Sequence, residues 1–478
     1  MKRFLIVSFF CCILSLANAQ SAFEYYYSSP LDEISRSLME DSEGNIYFSV
    51  ENWEYGLIIK LNNEGKFIDS VRIDNPDGTC NLAELIFIND DYFVVLGHWS
   101  SGSENYLWFV KFDFNLQVID DEKLDSEGWI VSDFRHIFNQ NGNIVFVAMY
   151  FLDGSTMEDC IYELTIDGTI IRKMFFDQPS NFNQVFSIIE NPFDNTYKVF
   201  TRVPLPTRYL VSSFNILDSN FNILSQEDFE FAIFTHNTAK WIDDSTYLIT
   251  GKRYQPIGDE DEWDAGILKV SINDSIISSR YFAAPDTVEW PGLFKSLDFI
   301  STDNIFYGGS YHTYWYPWQV EPSWIMLNIL DSDLNLKAQH YYGGDASYTI
   351  NAILATSDSG CVMACSRYDY LTQYNEFDIY ILKVNKDGLL VSVPENPTIN
   401  SFVCELYPNP GKDMLYIESK MDDLHIELFD VNGRLQLNLQ LESGSNKLTV
   451  SQLPGGIYLY RVLDKKKHQV QIGKWMKY

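Results

Sequence analysis

Two short segments, one aromatic and one acidic, hold most of the chemistry this sequence offers. The first is Tyr311-His312-Thr313-Tyr314-Trp315-Tyr316-Pro317-Trp318, with Trp324 beyond it, where rings are concentrated in a stretch whose prolines resist strand formation. Aromatic faces stack on sugars or grip peptide side chains and bring large contact area at little entropy cost, which makes Tyr314, Trp315, Tyr316 and Trp318 candidate ligand-binding residues. The competing reading has these rings packing the loop onto the fold beneath it. The second segment, Asp259-Glu260-Asp261-Glu262-Trp263-Asp264, adds Trp263 to that set and is rich enough in carboxylates for Ca2+, an ion that takes about six to eight oxygens. Asp259, Asp261 and Asp264 are the candidate metal ligands, against a solvated acidic turn as the alternative; no other cofactor is expected. Asp331-Ser332-Asp333-Leu334-Asn335 imitates the start of a calcium loop but lacks the following Gly and the distal Glu, so it reads as a turn.

Signals for catalysis are sparse. The seven histidines are scattered singly, and H-E-x-x-H, G-x-S-x-G, a P-loop and the S-x-D-x-G-x-x-W box are all missing. No residue is named as catalytic. The chain carries 34 basic and 66 acidic residues, and residues 20–400 hold 22 basic against 57 acidic, a net of −35. Such a surface repels polyanions, which excludes nucleic-acid binding through basic patches and suits cations or basic partners.

The elements that must position these segments repeat. GLIIKLNNEGKFI, YLWFVKFDFNLQVI, CIYELTIDGTII, LVSSFNILDSNFNI, GILKVSINDSII, WIMLNILDSDLNL and IYILKVNKDGLLV are seven copies of one hairpin. Aligning their turns at Gly65, Phe114, Gly168, Phe221, Asp274, Leu334 and Gly388 gives spacings of 49, 54, 53, 53, 60 and 54 residues. Each unit contains four strand-like runs, in the third unit Val131 to Asn139, Asn143 to Tyr150, Asp159 to Ile166 and Thr169 to Phe176. A period of about 50 residues with only strand signals predicts a seven-bladed β-propeller over residues 20–393. Phe23 to Ser28 has no unit of its own, and pairing it with the seventh unit would close the ring and remove two open edges.

In such a ring the short connections share one face. The longer ones, including Ser100 to Asn105, Gln255 to Asp264, His312 to Pro322 and Asp369 to Phe377, share the other, which is therefore the candidate binding face. Cysteines do not hold the chain together. Five lie beyond residue 19, and Cys361 and Cys365 stand about 13 Å apart if CVMAC is a strand, whereas a disulfide needs less than about 7 Å.

Residues 403–478, after the linker 394–402, read as a small all-β module. Asn432-Gly433 joins two alternating runs in the strongest short-range hairpin signal, and Pro454-Gly455-Gly456 makes a second turn before the strand that follows. The order Tyr407-Pro408-Asn409-Pro410, then a hairpin with Gly433, then Gly456 and Tyr458 in LPGGIYLYR, then Gly473-Lys474 resembles the C-terminal sorting domain of proteins exported by the Bacteroidetes type IX secretion system. That resemblance implies an Ig-like sandwich read by an outer-membrane translocon and cut by a sortase-like protease. At the other end, Lys2 and Arg3, the apolar run Phe4 to Leu16 and Ala17-Asn18-Ala19 form a signal peptide over residues 1–19. No segment reaches transmembrane length.

The expected protein is thus all-β, secreted or displayed on the outer-membrane surface by way of the periplasm, and a non-enzymatic binder of an extracellular glycan or protein. The alternative is a propeller hydrolase or lyase acting on polysaccharide with two acids near the central channel.

Overall fold

Apolar runs flanked by Asn, Asp and Gly become strands throughout, and every regular element among the described residues is a β-strand. The computed structural model describes residues 21–52, 54–102, 104–124, 129–151, 157–176, 184–204, 210–229, 234–257, 260–283, 287–313, 321–371, 376–390, 404–408, 411–419, 422–430, 434–463 and 469–477. The chain divides into two compact units, Met1–Val393 and Pro394–Tyr478.

In the first unit the described strands form seven antiparallel sheets. Numbered in chain order, they begin with Leu38–Glu40, Cys80–Phe87, Trp129–Phe138, Gln184–Glu190, Phe234–Trp241, a strand split into Glu289–Pro291 and Leu297–Asp298, and Ser347–Ala355. Each sheet packs on the next, and the first packs on the seventh. Seven apolar clusters fill these seven contacts, the closing one uniting Leu38, Phe48 and Leu57 of sheet 1 with Ala352, Val362 and Ile379 of sheet 7. The fold is all-β and propeller-like. Phe23–Tyr27 supplies the fourth strand of sheet 7, pairing antiparallel with Asp378–Val384 from Phe23 opposite Lys383 to Tyr27 opposite Ile379.

Both faces of the middle strands are covered, which is why Ile144–Phe151 and Tyr55–Leu61 read as nearly continuous apolar runs. The fourth strands lie at the outside, and Val118–Leu124 is exposed along almost its whole length. The five described cysteines are buried, and none of them forms a disulfide.

Two details differ from expectation. The repeated turn of sheet 2 is centred on Leu116, not Phe114. Leu116 has φ 60°, like Phe221 at 66°, Asp274 at 63° and Leu334 at 65°, and its amide donates to Asp113 O as that of Phe221 does to Asp218 O. Left-handed backbone costs a branched or aromatic residue about 1–2 kcal/mol. Burying Leu116, Phe221 and Leu334 to 3% exposure or less returns about 1.5–3 kcal/mol each, so glycine is dispensable there. Gln255 to Asp264 is not a long loop either. The strands Thr246–Ile257 and Glu260–Ser271 stay paired to Ile257 opposite Glu260, and Ser101 opposite Glu104 likewise tightens the Ser100 to Asn105 connection.

The second unit is a two-sheet sandwich. One sheet contains Cys404–Tyr407, Met414–Ser419 and Gly444–Thr449; the other contains Leu435–Leu441, Leu424–Asp430, Gly456–Leu463 and Gln469–Lys477 in that spatial order.

Candidate functional site

The first strands of the seven sheets line an axial cavity of about 450 Å³. Their registers break where they face it: between Leu82 and Glu84, Val131 and Arg135, Val185 and Ser187, Phe234 and Thr238, and Ile350 and Ala352. In sheet 6 the strand splits outright. A bulge bends its strand and re-aims the residue that follows, and here it releases backbone donors that hydroxyls of adjoining sheets take up. Leu85 N donates to Ser37 Oγ at 3.0 Å, Ser296 N to Thr238 Oγ1 at 2.9 Å and Ile350 N to Ser310 Oγ at 2.9 Å.

Charged groups meet in this cavity from distant repeats. Arg36, Arg135, Lys240 and Lys295 line it with Glu84, Asp298 and His136. Arg36 Nε is 2.5 Å from Glu51 Oε2, and its guanidinium lies 4.2 Å over the Phe294 ring. Arg135 of sheet 3 donates to Leu293 O, in the segment between the two halves of the split strand, at 3.3 Å. His136 Nδ1 is 2.5 Å from Glu84 Oε1. Lys240 and Lys295 converge on the two oxygens of Asp298 at 2.6 and 2.9 Å. Burial alone would push the Asp298 carboxyl up, but the Lys295 and Lys240 ammoniums outweigh it and hold the carboxyl below its ordinary value.

A second site lies at the end of sheet 7 where the Asp369 to Phe377 connection emerges. Glu24, Tyr26, Gly343, Asp345, Tyr348, Arg367 and Tyr380 border an open groove there of about 600 Å³. Arg367 organises it: Nε donates to Tyr348 Oη at 3.0 Å, while Nη2 lies 3.1 Å from Asp345 and 3.6 Å from Asp369. Tyr348 packs edge-on against Tyr380 at 5.6 Å. Tyr26, 47% exposed, donates its hydroxyl to Asp378, and Tyr380 does the same to Glu24. Burial and the Asp378 carboxylate push the Tyr26 phenol up to about 12, so it remains a hydrogen-bond donor at any physiological pH.

Glu33 stands beside this groove, fully buried, with Ser29 donating to its carboxylate and its own amide donating to Phe377 O at 2.9 Å. Burial pushes its carboxyl up to about 7 from 4.5; the Ser29 hydrogen bonds oppose this, and Asp378 and Glu376 add to it. The folded chain therefore binds this proton more tightly than the unfolded chain, and the ionised form costs stability above the folded value. That cost disappears as pH falls through about 7 toward 4.5. The thermal midpoint is expected to rise by a few degrees from about pH 8 to pH 6. Glu33→Gln should melt above wild type at the higher pH and flatten the dependence; a variant that melts lower at pH 8 would contradict this assignment.

The aromatic candidates Tyr314, Trp315, Tyr316 and Trp318 lie outside the described residues. The roots of their connection pack edge to face, with Tyr311 5.8 Å from Trp324 and 5.1 Å from Tyr341. Gly344, at φ +88°, packs so closely on Trp324 that a Cβ would sit 2.2 Å from the indole nitrogen. Trp263 has Lys252 Nζ 4.4 Å from its ring centroid, and the same ammonium is 3.6 Å from the Trp290 centroid, so one face of Trp263 is already covered. Asp259 and the Asp261 side chain lie outside the described residues. Asp264 is buried, and its Oδ2 accepts from Arg253 Nε at 3.0 Å and Nη2 at 2.5 Å. The axial cations were not anticipated from sequence: they come from four of the seven repeats, about 50 to 100 residues apart, and no motif joins them.

Two of the candidate sorting-signal residues, Pro408 and Tyr458, meet at Trp475. This ring is fully buried, lies 5.8 Å from Tyr458 and donates to Pro408 O at 2.8 Å. Tyr458 donates to Pro454 O at 2.7 Å, which ties the turn before Gly456 to its strand. Tyr407, before a cis bond to Pro408, stacks on Tyr416 at 5.6 Å. Gly473 and Lys474 sit in the last strand opposite Tyr460 and Leu459. Asn409, Pro410 and Gly433 lie outside the described residues, though Asp430 N still bonds Arg434 O at 3.0 Å across the hairpin that contains Gly433.

Residues 405–476 match the family described as a secretion system C-terminal sorting domain. The chain therefore carries a type IX sorting domain, which engages that secretion machinery and directs the protein to the cell surface or the medium. No curated protein matches the chain. Among solved structures, a catalytically inactive virginiamycin B lyase from Staphylococcus aureus with quinupristin is 11% identical, with TM-score 0.43, covering 76% of this chain and 100% of that one. The AfRom2 CNH domain is 8% identical, with TM-score 0.42 and coverage of 76% and 99%. A member of the duf4221 family from Bacteroides vulgatus is 10% identical, with TM-score 0.35 and coverage of 77% and 98%. Likenesses this distant do not bear on what the chain binds.

Proposed function

We propose that this exported protein is a non-enzymatic binding protein that holds an extracellular glycan or protein at the long-connection end of its first unit. One observation carries the reading: Tyr26, Tyr348 and Tyr380 are gathered around Arg367 in an open groove, with their hydroxyls already oriented by carboxylates. Aromatic surface with fixed donors and acceptors suits sugar hydroxyls or polar peptide groups, and groups held in place before binding lose little entropy. In this reading residues 1–19 are a signal peptide for entry to the periplasm, and the translocon and sortase act through the C-terminal unit.

The polysaccharide hydrolase alternative draws less support. Glycoside hydrolysis needs a protonated carboxyl beside an ionised one, whereas in the axial cavity Asp298 is kept ionised by two lysines and Glu84 is engaged by His136. The test is a glycan array and an extracellular-protein binding screen with the exported protein, repeated with Tyr26→Ala and Arg367→Ala. Each variant should weaken the detected binding about tenfold, or 1.4 kcal/mol. Unchanged affinity in both variants, or hydrolysis of a bound polysaccharide by wild type, would refute the proposal.

A further inference from the structure

We infer that the short-turn face of the first unit is a docking surface for a cationic amphipathic polypeptide, a partner segment on which lysines or arginines are interleaved with apolar side chains. This face lies at the end of the sheets away from the groove of sheet 7. The first ground is where the exposed apolar side chains fall. Among the described residues of the first unit seventeen large ones are exposed, and fourteen of these lie in, or within two residues of, the turns that follow the first and third strands. Every sheet contributes at least one. On the fourth strands of sheets 1, 2 and 4 they come as neighbours, Phe67 with Ile68, Val118 with Ile119 and Ile223 with Leu224, all 45–59% exposed. Successive residues of a strand point to opposite faces, so a strand packed on one face would hide one of each pair, and here neither is hidden. Phe193 and Ile300, at 68% and 67%, stand in or beside the turns nearer the axis. Apolar residues scattered singly over a surface are ordinary, but a set confined to one end of the fold and rimmed by charge marks an interaction site.

Charge is the second ground, and it selects the occupant. The turns are residues 41–45, 89–92, 139–143, 191–196, 242–246, 301–304 and 356–360 after the first strands, and 62–66, 113–117, 165–169, 218–222, 271–275, 331–335 and 385–389 after the third. All are described, and together they hold seventeen carboxylates against two lysines. Eight lysines and arginines that bond to turn residues from neighbouring strands, Lys111 to Asp167 at 2.6 Å for example, leave the acids in the majority. A second copy of this chain would set one acidic face against another, and anionic lipid would be repelled as well. A cationic partner that also carries apolar side chains matches both features of the surface, with charge steering the encounter and apolar burial holding the complex. The carboxylates are fixed in advance: Asp113 Oδ1 accepts from the amides of Asn115 at 2.9 Å and Gln117 at 2.8 Å, and Asp218 and Asp331 do the same in their own turns. Groups ordered before binding lose little entropy when a partner arrives.

Fluorescence anisotropy of a dye-labelled Lys/Leu amphipathic peptide titrated with the exported protein tests this inference, with an oligolysine of equal charge and a Glu/Leu peptide of equal length as counterparts. The Lys/Leu peptide should bind at least tenfold more tightly than oligolysine and weaken as salt rises, and the Glu/Leu peptide should not bind. A variant combining Val118→Ser, Ile119→Ser, Ile223→Ser and Leu224→Ser should weaken binding at least tenfold. Leu371→Ser, which removes an exposed apolar side chain at the other end of the fold, should leave it unchanged. All four substituted positions are exposed, so the variant should melt within a few degrees of wild type, which separates lost docking from lost fold. Two further measurements on wild type decide between occupants: sedimentation should show no self-association that the four substitutions abolish, and phosphatidylcholine vesicles should not bind. The inference is overturned if the Lys/Leu peptide binds no better than oligolysine, if the folded four-residue variant binds it as wild type does, or if the face instead takes up a second copy or the vesicles.

Discussion

Trp475→Ala is expected to unfold the C-terminal unit and abolish export. Trp475 is the largest fully buried side chain of that unit. It joins the last strand to the Tyr407-Pro408 segment through the bond to Pro408 O at 2.8 Å and contacts Tyr458 at 5.8 Å. Gly411 completes the enclosure, since a Cβ there would fall 2.7 Å from the indole ring. Truncating a buried Trp to Ala costs about 3–5 kcal/mol, and here it also strands the Pro408 carbonyl. A unit of this size has a total stability of about 5 kcal/mol or somewhat more, so little is left. Met476→Ala, one residue on and 39% exposed, should be close to neutral. Immunoblots of medium, surface and periplasm would check the pair, with periplasmic accumulation or degradation of Trp475→Ala as the expected result. Normal delivery of Trp475→Ala to the surface would show that the machinery reads the motif without the fold.

Deleting Phe23–Tyr27 should open the ring. That strand covers the edge of Asp378–Val384 with five paired residues. It also inserts Phe23 against Gly65 of sheet 1, where a glycine Cβ would lie 2.3 Å from the ring, and sets Tyr25 5.9 Å from Phe48. Losing the burial of these two rings costs about 4 kcal/mol, which lowers the melting temperature by roughly 5 °C in a domain of this size. The bare edge then offers a row of unpaired backbone groups to another molecule. Thermal unfolding and size-exclusion chromatography of the deletion variant would report both effects. A variant that stays monomeric and melts within about 2 °C of wild type would show that the ring does not depend on this closure.

Much of the architecture is readable because its determinants are local. The turns that start with Asn62, Asp113, Thr165, Asp218, Ser271, Asp331 and Asn385 each close with the same backbone bond three residues on, and that chemistry is contained in four adjacent residues. The misplacement at Phe114 has a physical cause. Sequence reasoning looks for glycine or a polar residue at positive φ, but Leu116 holds the position because its side chain is buried at 3% exposure, a fact that depends on the neighbouring sheet. The acidic segment misled in a similar way: charge density suggested a loop, whereas Arg253 opposite Asp264 and Lys252 against Trp263 keep the two strands paired.

Sequence alone determined the all-β class, the period of about 50 residues, the strand that closes the ring and the exported character carried by the last 75 or so residues, because alternation, turn chemistry and short motifs act over neighbouring residues. Only the tertiary structure decided which side chains meet on the axis. Arg36, Arg135, Lys240 and Lys295 are brought together by the curvature of the ring and by bulges that turn most of the first strands inward. Both are properties of sheets packed on sheets, and no stretch of the chain contains them.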